Sequence, residues 1–388
     1  MHYTRLFAAP ICLMVLAFPV IAEDKDGFVP MFDGRTLDGW LNVNCHPSTF
    51  YVKDGEIITT GRPTGYLRTA KQYENFIAEF DWMHENKTKV GNSGFFVWCD
   101  PLPAVGTGYS RGIEVQVLVN LEYKNKKGEI TATSHGDLFS IWGARCKPDR
   151  PHPDGWERCL PSENRAKGGG EWNHYKVTAY NGMLKLEVNG KLVSGVSQCT
   201  PRKGYLALES EGAVCHFRNL RIKELRSTNP KPEEIAKVDQ GHVLMFNGLD
   251  LSGWNAEKGD WKPSDGVLKA GKSPIESEKK FSKCELQFDW KSPAKAEGTF
   301  AVVVNGQRVA FNLAEKQLTC RVASLSSSMP RPGSWARVKI NFDGEKFVAS
   351  SGDKPLIQMP MTLSEASPIK LEPLAGLELR SIYIRELK

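Results

Sequence analysis

The sequence predicts an all-β protein made of two antiparallel sandwiches in tandem, and three observations carry that expectation. Short apolar runs alternate with polar residues at a period of two, which sets one face of a strand on a core. Gly, Asn, Asp and Pro interrupt these runs at hairpin spacing, as in Asp54-Gly55, Asn181-Gly182 and Asn189-Gly190. One opening motif is also written twice, as PMFDGRTLDGW at 30–40 and LMFNGLDLSGW at 244–254. A separation of about two hundred residues is far beyond the roughly 20–50 residues of a solenoid unit, so the repeat marks whole domains.

Taken in order, residues 1–22 have the parts of a secretory signal. Arg5 precedes an apolar run from Leu6 to Ile21, Pro10 and Pro19 break it, and Val20 and Ala22 stand where a signal peptidase needs small residues. A mature chain beginning near Glu23, secreted or periplasmic, is expected. No later stretch approaches the roughly 20 apolar residues of a membrane helix.

The first sandwich is expected over 27–226. Its strand signals include FIAEFDWM (76–83), GFFVW (94–98), GIEVQVLV (112–119), HYKVTAY (174–180), LKLEVNG (184–190) and HFRNLRIKEL (216–225). Residues 227–241, STNPKPEEIAKVDQG, read as a polar linker with a short helix at 232–237. The second copy, 242–388, repeats the landmarks of the first in order. Phe80-Asp81-Trp82 returns as Phe288-Asp289-Trp290, and Gly170-Glu171-Trp172 as Gly333-Ser334-Trp335. RNLRIKEL at 218–225 returns as RSIYIREL at 380–387. The opening motif and the last strand bracket each copy and bring its ends together, as a jelly-roll or concanavalin-like sandwich does.

Bulk properties exclude more than they assign. The 388 residues carry a net charge of +6, from 51 basic and 45 acidic side chains that are interspersed. That pattern suits a solvated surface and gives no footprint for nucleic acid. Eight cysteines follow the leader, namely Cys45, Cys99, Cys146, Cys159, Cys199, Cys215, Cys284 and Cys320. An even count in an exported chain permits disulfides, with Cys146–Cys159 and Cys284–Cys320 the expected pairs. Buried thiols are the other reading. No C-x-x-C or Cys/His spacing of the zinc kind occurs.

Chemistry concentrates in the first copy. In the strand GIEVQV, Ile113, Val115 and Val117 face one way while Glu114 and Gln116 face the other. A carboxylate and an amide on one face can grip a sugar-sized ligand, although a merely wet face reads the same way. The matching strand of the second copy, 308–313, has Ala310 for Glu114 and Asn312 for Gln116. His135 and Asp137 are acid–base equipment, with a turn-forming Asp as the plainer reading. The 143–170 segment has the length of a functional loop and contains Arg145, Arg150, Trp156 and Arg158. Trp98, Trp142 and Trp156 are candidates to stack on sugar rings, or members of the core. A glycosidase uses two carboxylates roughly 5–10 Å apart, and the sequence offers Glu114 only Asp137 and Asp100.

These motifs in order resemble the 3-keto-disaccharide hydrolase family. The resemblance rests on FDGRTLDGW near the start, NSGF (92–95), GIEVQVL (112–118) and GEWN followed by NG (170–190). It covers 28–225, and 242–388 in weaker form. It implies a concanavalin-like jelly roll acting on sugars oxidised to a ketone at C3. It also implies cleavage by C2 proton abstraction, elimination at C1 and hydration. On that resemblance Glu114 is the base or a metal ligand, Gln116 orients the sugar and His135 is the acid. Arg111 polarises the ketone or binds a hydroxyl, and a divalent metal ion is compatible with the chemistry. The expected function is therefore an exported 3-keto-glycoside hydrolase of lyase/hydratase type acting on an oligosaccharide or 3-keto-glycoside. A non-catalytic carbohydrate-binding protein is the alternative. The degenerate second copy is expected to be non-catalytic, serving as structure or docking a partner or glycan.

Overall fold

The computed structural model describes residues 24–256, 260–295, 297–314, 317–320, 323–326, 331–352, 354–360 and 365–388. The expected signal segment, 1–22, lies outside them. In the first half, a nine-stranded and a seven-stranded antiparallel sheet enclose a core that includes Phe80, Trp82, Phe95, Val115, Tyr175 and Phe217. In the second half, an eight-stranded and a seven-stranded sheet enclose Leu286, Phe288, Trp290, Phe300 and Phe311. The period-two alternation produces this directly. In Phe76–His84 every second residue is buried, from Phe76 through Phe80 to His84. The chain is all-β: among the described residues the one helical element is a 3-10 turn at Pro232–Glu234, where a short helix was expected over 232–237. The chain leaves that turn because Ile235 pairs in parallel with Lys203 and Ala236 is buried. No helix among the described residues is long and apolar enough to cross a membrane.

The 143–170 segment is not a free loop. Arg145–Pro148 joins the nine-stranded sheet beside Lys191–Thr200, and Arg158–Cys159 joins the seven-stranded sheet beside Leu138–Ile141. Cys146 and Cys159 thus belong to different sheets, and the expected disulfide between them is not formed. Each is a separate buried thiol turned to a backbone carbonyl, that of Glu157 at 3.4 Å and that of Leu160 at 3.6 Å. Of the other expected pair, Cys284 is a buried thiol, and the Cys320 side chain lies outside those described.

The two halves dock face to face. On Cys284–Lys291 the residues Leu286, Phe288 and Trp290 fill the second core, so Glu285, Gln287 and Asp289 point the other way. Strand pairing sets three rows across this outer face: Arg385–Glu285–Asn341, Tyr383–Gln287–Lys339 and Arg380–Asp289–Arg337. Tyr383 packs into an apolar cluster with Val43, Tyr66, Phe96 and Tyr205 of the first half. Asp289, 0% exposed, takes two hydrogen bonds from Arg337, at 2.7 and 2.9 Å, and one from the Gly106 amide at 2.9 Å. Arg337 also donates to the Pro103 carbonyl at 2.9 Å, and Arg380 to that of Gly106 at 3.0 Å. Gly106 has φ +74°, and a Cβ there would lie 2.4 Å from Trp335, so only glycine lets the loop approach this closely.

Removing one partner of a buried, hydrogen-bonded ion pair strands the other charge and costs about 3–5 kcal/mol. Asp289→Ala should therefore lower the unfolding free energy of the full chain, read from urea titration, by an amount of that order. A loss below about 1 kcal/mol would place the weight of the interface elsewhere.

Candidate active site

The seven-stranded sheet of the first half sends its even-numbered residues of Gly112–Val119 away from the core. Glu114 and Gln116 are 7% and 5% exposed, so this face is buried and not simply wet. Pairing brings in neighbours far away in sequence. Gly91–Cys99 lies on one side of Gly112–Val119, and Tyr205–Ser210 lies beyond it. Asn92 meets Glu211 across an isolated bridge and donates a short hydrogen bond to its carboxylate. Glu209 enters beside Glu114 because Gly94 between them has no side chain. A Cβ on Gly94 would sit 2.8 Å from Glu209 Oε2 and 2.9 Å from Glu114 Oε1.

Glu114, Glu209 and Glu211 therefore form one buried acidic group. Burial pushes Glu114 up to about 8, the charge of Glu211 adds to the rise, and Arg158 opposes it. Burial and the Glu114 charge push Glu209 well above the ordinary carboxylate range. Burial also raises Glu211, against hydrogen bonds from Tyr109 and Asn92. Neither Glu209 oxygen has a hydrogen-bond donor. A proton on one carboxyl of the Glu209 and Glu211 pair, given to the other, would supply what the rest of the protein does not.

Around this group, Tyr109 Oη donates to Glu211 at 2.7 Å, and Gln116 Nε2 donates to Asn92 Oδ1 at 3.0 Å. Arg158 is the cationic neighbour. It pairs with Asp137 at 2.6 Å, donates to Gln116 Oε1 at 3.2 Å and lies over the Phe139 ring at 4.1 Å. Asp137 is fully buried, with its oxygens committed to Thr133 and Arg158, so it positions Arg158 and does not face open space.

The other expected site residues are dispersed. His135 lines a separate shallow cavity with Asn120, Glu122 and Lys167. Arg111 forms a two-pronged pair with Asp100, at 3.0 Å on each bond, and borders the cavity between the sandwiches. Trp142 borders the same cavity and stacks on Tyr109, ring centres 6.2 Å apart. Trp156 stacks on His152 at 4.7 Å. Trp98 is 0% exposed and its indole N–H is bound to the Glu74 carbonyl, so it is core and cannot meet a sugar. The scarcity of carboxylate partners for Glu114 is also corrected: Glu209 and Glu211 are adjacent in space, and the acidic alternation in Leu208-Glu209-Ser210-Glu211 was the available signal. Among the described residues no three His, Cys, Asp or Glu side chains are arranged to hold a metal ion.

A carboxyl that holds its proton more tightly in the folded state stabilises the fold in acid. It loses that contribution as pH rises from its ordinary value of 4.5 through about 8. Stability should therefore fall across that window, by about 1.4 kcal/mol per pH unit for each proton retained. Glu209→Gln should flatten the slope and stabilise the protein on the alkaline side. Urea midpoints measured through the window check this, and an unchanged slope in the variant would refute shared protonation.

A sequence profile of the family described as the 3-keto-alpha-glucoside-1,2-lyase-like domain matches residues 27–223 and 241–363. A 3-keto-disaccharide hydrolase of Bacteroides thetaiotaomicron is 26% identical over 251 residues, 52% of this chain and 80% of that protein. Among solved structures, a Parabacteroides distasonis protein provisionally named a glycosyl hydrolase is 20% identical. It covers 52% of this chain and 95% of its own, with a TM-score of 0.39. A carbohydrate binding module of Bacillus subtilis is 12% identical and covers 48% and 96%, with a TM-score of 0.34. The two profile segments fall on the two sandwiches in turn, and the chain belongs to the 3-keto-alpha-glucoside-1,2-lyase-like family.

Proposed function

We propose that the protein acts on carbohydrate and cleaves 3-keto-glycosides by elimination followed by hydration, with the chemistry on the first sandwich. The observation that carries this reading is the buried acidic group of Glu114, Glu209 and Glu211 in a chain of this family. A C3 ketone acidifies the C2 proton. Glu114 removes it, the C2–H electron pair forms the C1=C2 double bond, and the C1–O bond breaks with its electrons going to the leaving oxygen. The proton held by Glu209 and Glu211 passes to that oxygen. Water then adds at C1 and C2 takes a proton back, so the net change is hydrolysis.

Each role follows from the local physics. A general base works best with a pKa near the working pH, and burial moves Glu114 to about 8. Gln116 and Asn92, held to one another, orient sugar hydroxyls. Arg158 offsets the negative charge that builds up as the proton leaves. A purely binding protein has no use for carboxyls that lack donors, because buried polar groups without partners cost stability. That argument favours the enzyme over the lectin-like alternative. In the second sandwich Ala310 stands opposite Ala301 where the first has Glu114 opposite Phe96, so that copy is non-catalytic in this reading.

The mature protein is expected to release free sugar from 3-keto-trehalose but not from trehalose, measured by chromatography of the products. Turnover of trehalose itself would favour ordinary two-carboxylate hydrolysis, whose geometry Glu114 and Glu209 approach. Glu114→Gln should lower kcat by at least about 10²-fold. In the unaltered enzyme kcat/KM should rise with pH and level off above about 8, as the base loses its proton. Export belongs to the same proposal: mass spectrometry of the secreted chain should find Glu23 at its start, and retention of residues 1–22 would remove it.

A further inference from the structure

We propose that the cavity between the two sandwiches binds the second sugar ring of the substrate, the one that departs with the C1 oxygen, and that the second sandwich serves as its far wall. This rests on the placement of cleavage at Glu114.

The cavity has a volume of about 690 Å³, inside the roughly 300–1,000 Å³ of small-ligand sites. Arg111 and Trp142 of the first half border it on one side, with Glu285, Gln287 and Lys339 of the second half on the other. It is linked to the acidic group through side chains in contact. Arg111 stands immediately before the strand Gly112–Val119 that bears Glu114. Trp142 stacks on Tyr109, and Tyr109 donates to Glu211. One continuous line of side chains therefore runs from the cavity wall to the reacting group.

The lining fits a neutral polyhydroxyl ring. Trp142 keeps 51% of its surface exposed while one face lies on Tyr109, leaving a flat apolar platform of the kind sugar rings use. Gln287 is 4% exposed, yet its Nε2 has no hydrogen-bond partner, so the wall holds a buried donor in need of an acceptor. Several of the lining charges are matched within the protein: Arg111 by Asp100, Asp239 by Arg68, Arg337 by Asp289, and Glu285 by His242 and Arg385. Hydroxyl groups are neutral and need planar polar partners, which Gln287 and the matched pairs present. The repeat points the same way. The position of Gln287 corresponds to Glu79 in the first copy, where the carboxylate is spent on Arg221. The second copy has a neutral amide there, facing the cavity.

The test compares two substrates in the full-length protein: 3-keto-trehalose, which fills both positions, and methyl 3-keto-glucoside, which fills only one. The ratio of their kcat/KM values should fall about tenfold in Trp142→Ala and in Gln287→Leu, chiefly through KM, and recover in Trp142→Phe. Variants that slow both substrates equally would overturn the subsite while leaving elimination at Glu114 standing. If the wild-type protein cleaves neither substrate, the catalytic reading fails, and calorimetric titration with trehalose still decides the cavity. Binding heat that is lost in both Trp142→Ala and Gln287→Leu would support it. No heat with the wild-type protein, or heat that both variants keep, would overturn it.

Discussion

The arrangement depends on one buried carboxylate. Asp289 sits in a strand of the second sandwich, fully out of water, and is shared between Arg337 of its own sheet and the Gly106 amide of the first sandwich. An ion so placed is tolerable only with every oxygen engaged, and here the engagement crosses between domains. The loop it holds begins at Asp100 and runs on into Tyr109 and Arg111, one bonded to the acidic group and the other at the mouth of the cleft. The second copy thus holds the loop beside the acidic group through the backbone of the first.

Comparison of the two copies shows how this came about chemically. Asp81, His174, Arg218 and Trp172 of the first copy correspond to Asp289, Arg337, Arg380 and Trp335 of the second. In the first copy Asp81 bonds His174 at 2.8 Å, and Arg218 lies over Trp172 at 3.7 Å, on a partly solvated surface. In the second copy the same four positions grip another domain. One row further along, Glu79 and Arg221 are replaced by Gln287 and Tyr383, which removes an ion pair from a face that must lose its water. The second copy also joins Thr299–Val304 to Gln307–Asn312 through the tight Asn305-Gly306 turn, where the first spends residues 100–111 on the loop that is held.

Much of the fold was legible because alternation and turn residues are local signals. The strands at 76–83, 112–119 and 174–180 are found within a residue of those limits, and the repeat anticipated two sandwiches. Glu114 and Gln116 stood out for the same reason: they break an apolar strand at every second place. Glu209 and Glu211 did not, since nearly a hundred residues separate them from Glu114, and only sheet order makes them neighbours. Arg158 was noticed as part of a loop, but its purpose depended on that loop entering the sheet beside Leu138–Ile141. Trp98 misled because an aromatic residue beside a candidate site looks the same in sequence whether its ring points outward or inward. His135 is two residues from Asp137 in sequence, yet its side chain opens on a different hollow, which only the fold shows.

The contact between the sandwiches is heterologous: the seven-stranded sheet of one copy meets the eight-stranded sheet of the other, so the contact has no symmetry that closes it. Geometry alone would allow a third sandwich, or another molecule, to stack at either end and begin a fibre. The two ends differ in chemistry. On the first copy the outward face keeps Glu79, Arg221 and Lys176 charged and hydrated, which makes covering it expensive. On the second, the shortened turn at Asn305-Gly306 leaves no loop for an aspartate to seize. The same two changes that separated the copies therefore also make the two outer faces unlike the two that meet.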